Sequence, residues 1–207
     1  MINISYKIPR SVTLAFSGGV DSVAVADFLK RSHNLTLLFV NHRTENSLKA
    51  LDFVQDFAEI NGLPIKIRDI SEEKPERESK EEFWRNQRYN IFHRQQEPVI
   101  TCHHLDDCVE TWVWSSLHGR GKLIPATNLN VIRPFLTTTK DEFISWCSRK
   151  GLEWCEDTSN SDTSYIRNHI RHNMMPDILK VNPGIRKTIR KLIDAEQRSN
   201  TCNNYNP

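Results

Sequence analysis

The sequence predicts an α/β fold, a doubly wound parallel sheet with a small C-terminal helical extension, and three observations carry that prediction. Apolar runs of strand length alternate with segments of helical spacing over the first two thirds of the chain. Residues able to do chemistry fall just after the strand-like runs, where open α/β sheets bind ligands. The length, 207 residues, suits one α/β domain with a modest appendage.

The first strand is Val12-Thr13-Leu14-Ala15-Phe16, and a helix is expected over 23–30. Leu35-Thr36-Leu37-Leu38-Phe39-Val40 reads as a buried second strand. Residues 47–60 carry helical spacing through Leu51, Val54, Phe57 and Ala58, and Ile65-Lys66-Ile67 alternates as a third strand. Residues 80–94 then read as a helix, Val99-Ile100-Thr101-Cys102 as a fourth strand, and 106–116 as the helix that follows it. Beyond Gly121, a hairpin-like or extended segment over 130–135 leads to a helix over 140–150, and a C-terminal helical piece begins near Arg167. The organisation this implies is an α/β domain over 1–136, a helical extension over 137–198 and a disordered Asn-rich tail over 199–207.

Between the first strand and its helix lies Ser17-Gly18-Gly19-Val20-Asp21-Ser22. Two glycines let backbone approach an anion, two serines offer hydroxyls, and the helix start supplies unpaired N–H groups with partial positive charge. Asp21 repels a phosphate, so its fitting role is to hold a divalent cation that bridges to phosphate oxygens. A glycine-rich turn with a serine cap is the competing reading of the glycines alone. No Gly-x-x-x-x-Gly-Lys-Ser/Thr string occurs, and Gly119-Arg120-Gly121-Lys122 has the wrong glycine spacing for one.

The second constellation is His103-His104-Leu105-Asp106-Asp107-Cys108-Val109-Glu110-Thr111. Asp107 and Glu110, three apart in a helix's first turns, share one face, although acids there also suit the helix dipole. His103, at the strand end, could orient a phosphate or be a satisfied core histidine. Adjacent histidines on extended chain point to opposite sides, which argues against zinc on His103, His104 and Asp106. Asn41 and His42 follow the second strand. A third constellation joins Glu156, Asp157, Ser159 and Asn160, which also read as a capped turn, to Arg167 and Arg171. The two arginines, four apart, would present paired guanidinium groups suited to phosphoryl charge.

The net charge is only +2, so charge alone does not announce a nucleic-acid binder. Its distribution says more: residues 165–198 hold eight Lys/Arg against three Asp/Glu. That stretch reads either as a track for RNA phosphates or as a solvated helix face. Residues 71–82 reverse the balance, with six acids and three bases around Pro75, as an exposed loop would. Five cysteines, none in a Cys-x-x-Cys pair, and no long apolar run predict a reduced cytoplasmic protein without disulfides or a membrane span.

Taken in order, 17–22, then Glu81 with Arg85, Arg88 and Tyr89, then 103–111, Arg133-Pro134, and 156–171 resemble the tRNA(Ile)-lysidine synthetase family. That family belongs to the N-type ATP pyrophosphatases with a PP-loop. The resemblance covers about 12–176 and implies a Rossmann-like, adenine nucleotide alpha hydrolase-like domain. It also implies the chemistry: ATP and Mg²⁺ adenylate the C2 oxygen of the wobble cytidine in a CAU-anticodon tRNA, and the ε-amine of L-lysine displaces AMP to give lysidine. The residues then divide by role. Ser17, Gly18, Gly19, Val20, Asp21, Ser22, Asn41, His42 and Arg88 would bind ATP, with Asp21 on the metal. Asp21, Arg85, His103, Asp107, Glu110 and Arg167 would serve catalysis, Asp107 and Glu110 receiving the lysine ammonium. Arg120, Lys122, Arg171, Arg186 and Lys187 would meet RNA, and a homodimer is a candidate assembly.

The sequence departs from the family pattern at Arg43, where a glycine is usual, at Cys108 for a common glutamine, and across 117–125. It also implies a short member without C-terminal tRNA-binding domains. A PP-loop tRNA thiolase shares 17–22 but commonly needs paired cysteines, and a GMP- or NAD-synthetase-like amidation enzyme leaves 157–171 unexplained. A remnant that binds ATP or RNA without turnover is the non-enzymatic alternative.

Overall fold

The computed structural model describes residues 1–72, 74–77, 79–156 and 166–203. Strand β1 (Ser11–Ala15) is central because Val12, Thr13 and Leu14 are wholly buried, as a parallel strand covered on both faces requires. On one side it pairs in parallel with β2 (Asn34–Asn41), in register Val12 with Leu35 and Leu14 with Leu37. On the other it pairs in parallel with β4 (Val99–Ile100), so the direction of strand order reverses at β1. β3 (Ile65–Asp69) lies outside β2, and a hairpin of β5 (Thr127–Asn128) and β6 (Val131–Ile132) completes the far edge. The sheet order is β3-β2-β1-β4-β6-β5, parallel except for β5. The expected fourth strand is thus shorter than predicted, and its continuation survives as one bond from Thr101 N–H to Ile132 O at 3.1 Å.

Helices α1 (Val20–Leu29), α2 (Glu45–Ile60), α3 (Lys80–His93) and α4 (Leu105–Leu117) cross between the strands, and α5 (Lys140–Lys150) follows the hairpin. Four begin with a side chain that accepts an N–H of the first turn: Thr44, Ser79, His104 and Thr139 for α2, α3, α4 and α5. Helix α1 is the exception, since its N-cap, Gly19, makes no side-chain cap bond. α5 packs against α1 through Phe143 and Cys147, both wholly buried, and ends at Gly151, whose φ of 61° is the left-handed cap.

The C-terminal part is helical, as expected. α6 (Ile166–His169) runs into a π-helical turn (Ile170–Met174), then α7 (Met175–Val181) and α8 (Ile185–Asn203). The π turn forms beside Pro176, which lacks an N–H, while Met175 N–H bonds five residues back to Ile170 O. α8 docks by Ile185, Ile189 and Ile193, an i, i+4 stripe that packs with Leu105, Val109 and Val113 of α4. The tail expected from residue 199 is therefore helix as far as Asn203, because a helix already anchored by that stripe propagates through poor formers. Residues 157–165, including the expected capped turn at Asp157 and Asn160, lie outside the described residues. Among the described residues, no helix is long and apolar enough to cross a membrane.

Candidate active site

Residues 17–22 leave β1 at the point where strand order reverses and open α1. Gly18 holds φ at 81°, and a Cβ there would meet Phe53 Cδ1 at 3.0 Å and Val54 Cγ1 at 3.2 Å, so only glycine fits. A Cβ on Gly19 would find only ordinary contacts, the nearest being Ser17 Oγ at 3.5 Å. Ser22 Oγ donates to Gly19 O at 2.9 Å and lies 3.4 Å from Ser17 Oγ, while Gly19 N–H reaches Ser17 Oγ at 3.3 Å. The loop is closed from behind by Cys155 N–H on Gly18 O at 2.9 Å. The result is a small polar concavity at the start of a helix without a side-chain cap, chemistry that favours an anion.

Asp21, in the first turn of α1, accepts from Lys140 Nζ through both carboxylate oxygens, at 2.9 and 2.8 Å, and His104 Nε2 lies 3.9 Å from Oδ2. Nothing in the sequence links positions 119 residues apart, and Lys140 is a site residue that sequence reasoning misses. Its placement follows from Thr139, which caps α5 and sets Lys140 at the first helical position facing α1. Asp21 with the serine hydroxyls offers hard oxygen donors, which fits a Mg²⁺ that takes one or two carboxylates and completes its shell with phosphates and water.

His104 caps α4: its Nδ1 accepts Asp107 N–H at 3.4 Å, and Asp107 Oδ2 accepts His104 N–H at 3.1 Å. The two adjacent histidines therefore have different partners, since His103 Nδ1 lies 2.9 Å from Thr101 Oγ1. Burial, with the charges of Arg133, Arg167 and Arg85, lowers His103 to about 3 against the opposite pull of Asp107. His103 is consequently a neutral imidazole near pH 7. For Asp107, burial pulls the pKa upward, but His104, Arg167, His103 and the His104 N–H outweigh it and hold the carboxyl well below the usual range.

Asp107 and Glu110 share a face of α4, and both are buried. They are already paired. Arg167 Nη2 reaches Asp107 Oδ1 at 2.7 Å, and Arg171 Nη2 reaches the same oxygen at 3.1 Å. Arg171 also binds Glu110 through both of its carboxylate oxygens, at 2.7 and 3.0 Å. Burial opposes charge on both guanidinium groups, yet the two carboxylates raise their pKa values further. The expected arginine pair is present, and carboxylates take up the near side of it. Arg171 is for this reason not a free RNA contact. Arg186 differs from expectation in the same way, with Nε and Nη2 on Asp106 Oδ1 at 2.7 and 2.6 Å. Asp106 also accepts Lys140 N–H at 2.8 Å, so it ties α8 to α5 through α4.

The remaining expected residues take varied places. Asn41 is buried and its amide is engaged within the fold, donating to Asp69 at 2.8 Å and accepting Arg43 N–H at 2.9 Å and Ser47 Oγ at 2.8 Å. It sets the β2–α2 turn, where Arg43 holds a left-handed φ of 56° in place of the glycine expected there. The His42 ring lies 5.2 Å from Trp84. Arg85 stacks over Tyr89 at 5.1 Å, and Tyr89 Oη accepts from buried Arg133 at 2.8 Å. Arg88, Arg120, Lys122 and Lys187 are exposed. Gly121 abuts Trp112 and Ser116 so closely that a Cβ would stand 2.5 Å from Trp112 Nε1, which fixes the loop bearing Arg120 and Lys122.

A cavity of about 450 Å³ lies beside these pairs, bounded by α4, α5, α7 and α8.

Residues 3–178 match the model of a family described as a PP-loop domain. The chain is 32% identical over 196 residues to the tRNA(Ile)-lysidine synthase of Nitrosomonas europaea, covering 86% of this chain and 43% of that one. It is 31% identical over 201 residues to the tRNA(Ile)-lysidine synthase of Persephonella marina, covering 87% and 44%. The chain thus spans less than half the length of these curated relatives. In fold it is similar to an NH3-dependent NAD synthetase from Campylobacter jejuni, with a TM-score of 0.51, 16% identity, and coverage of 97% of this chain and 89% of that one.

Proposed function

As the chain belongs to the PP-loop domain family, we propose that it joins lysine to the wobble cytidine of a CAU-anticodon tRNA in an ATP-dependent reaction. The observation that supports this most is the juxtaposition, beyond the C-terminal ends of the central strands β1 and β4, of a glycine-rich loop with Asp21, and of Asp107 and Glu110 held by Arg167 and Arg171. The match to the PP-loop domain family spans 3–178, which includes both parts.

The reaction has two displacements. The cytidine C2 oxygen attacks the α-phosphorus of ATP and pyrophosphate leaves; the lysine ε-amine then attacks C2, and AMP leaves with that oxygen. The N–H groups at the start of α1, with Ser17 and Ser22, would receive the phosphates. Asp21 would hold Mg²⁺, which when bound neutralises charge on the departing pyrophosphate. Lys140 would then exchange its contact with Asp21 for phosphate, keeping a positive charge near the chain of phosphates. Arg85 and Arg167 would offset charge at the α-phosphorus, and His103, neutral, would donate or accept a single hydrogen bond there.

Only the neutral amine attacks carbon, so a carboxylate must take its proton. Glu110 has lone pairs beyond those facing Arg171, and the amine would bind beside the guanidinium without expelling it. The target base must be splayed from its loop, as single-stranded RNA allows. The test is cleavage of ATP to AMP and pyrophosphate with and without L-lysine and a CAU-anticodon transcript. Cleavage that needs both supports the proposal; cleavage indifferent to lysine contradicts it.

A further inference from the structure

We infer that the exposed ring pair of Trp114 and His118 at the C-terminal end of α4, with Arg120 and Lys122 of the loop that follows, is a platform on which an unpaired base of the RNA substrate stacks while the two cations take the neighbouring phosphates. This rests on the RNA-modifying reading above and adds to it a surface outside the cluster of Asp21, Asp107 and Glu110.

Trp114 is 42% exposed, and the His118 ring lies against it with centroids 4.5 Å apart and planes 36° from parallel. The helix end fixes this pair: His118 Nδ1–H donates to Trp114 O at 2.8 Å, and His118 N–H to Ser115 O at 3.1 Å. Ser115, itself buried, also holds the loop, since its carbonyl accepts Arg120 N–H at 3.2 Å and its Oγ accepts Lys122 N–H at 2.7 Å. The platform is thus formed before any ligand arrives, which lowers the ordering cost of binding. Its charge is one-sided. No acidic residue occurs between Glu110 and Asp141. Within that span Arg133 is buried and Lys140 is held by Asp21, whereas Arg120 and Lys122 are exposed and make no ion pair among the described residues. Cations without counter-charges beside an open ring suit a phosphate-linked strand of bases, whereas the core of a protein interface is depleted in lysine. The position agrees with this. Glu110, Trp114 and His118 are successive i, i+4 neighbours on one row of α4, so Trp114 lies about 6 Å along the helix from Glu110. That is roughly the span of one or two nucleotides. A strand whose target base sits beside Glu110 therefore brings a neighbouring base over Trp114.

Binding of a CAU-anticodon tRNA transcript to the full chain, followed by fluorescence anisotropy at several salt concentrations, tests this. Trp114→Ala is expected to weaken binding by about tenfold or more, the worth of one base–aromatic stack, at an unchanged slope of log affinity against log salt. Trp114→Phe, which keeps a ring, should retain most of the affinity. Arg120→Gln with Lys122→Gln should instead flatten the slope, by roughly 0.7 for each phosphate no longer neutralised on a single strand. This double variant changes exposed side chains alone and serves if Trp114→Ala fails to fold. Wild-type affinity in Trp114→Ala, an equal loss in Trp114→Phe, or an unchanged slope in the double variant overturns the platform. A wild-type dimer in sedimentation velocity that Trp114→Ala turns into monomer also overturns it, since a second copy then covers the ring. ATP cleavage that still needs lysine and tRNA, alongside such a result, leaves the ligation reading standing; a wild type that binds no tRNA overturns both.

Discussion

His103 shows how one residue's surroundings decide its chemistry. Its unfolded pKa lies near the ordinary 6.5 and its folded value near 3, set first by burial and then by three nearby arginines. The unfolded chain therefore takes up a proton below about pH 6.5 that the folded chain refuses, so this contribution to stability is complete above that pH and falls away toward pH 3. His103→Gln should flatten the loss of stability between about pH 7.5 and about pH 5.5 by roughly 1 kcal/mol, measured by urea unfolding at each pH. In the proposed reaction Asp21 is the residue that would hold the metal. Asp21→Asn should lower ATP cleavage by about 10²–10³ with the far-UV spectrum unchanged, because Asp21 is partly exposed and packs no core. Unaltered turnover at saturating magnesium would remove Asp21 from the metal.

Helices, more than strands, determine how the site is assembled. Their existence is legible in the sequence: α5 spans the expected 140–150, and α1 to α4 fall within three residues of expectation, because apolar spacing and caps are local signals. Their mutual charge pairing is not. Lys140 meets Asp21, Arg186 meets Asp106, and Arg171 meets Glu110 across 119, 80 and 61 residues, where no periodicity reaches. The spacing of Arg167 and Arg171 suggests a phosphate clamp because a single helix shows which side chains share a face and not what faces them. The pairing has an energetic consequence. Arg171→Ala would leave buried Glu110, among the described residues, with Arg167 Nε at 3.6 Å as its ion-pair partner, a loss of about 3 kcal/mol. Adding Glu110→Gln to that variant should restore part of the stability, since the uncompensated charge is gone. A double variant no more stable than Arg171→Ala would show that the pair is solvated.

At the scale of the whole molecule, the fold places the glycine-rich loop, the carboxylates and the arginines beyond the C-terminal ends of the central strands, and exposed cations lie on α8 and on the loop after α4 among other places. With Arg186 and Arg171 engaged internally, Lys187, Lys191 and Arg198 are exposed cations of α8. Lys187→Ala with Lys191→Ala should weaken tRNA binding and reduce the slope of log affinity against log salt by roughly 0.7–0.9 for each phosphate that is no longer neutralised. Titration at several salt concentrations checks this, and an unchanged slope would make the outer face of α8 merely solvated. Chemistry on the base itself is tested most directly by mass analysis of the nucleosides from a CAU-anticodon tRNA incubated with the chain, ATP, Mg²⁺ and L-lysine. The wobble cytidine should gain one lysine with the loss of one water, only when ATP and lysine are both present. An unmodified cytidine, or an exchange of its oxygen for sulfur when a sulfur donor is supplied, would contradict the proposed ligation.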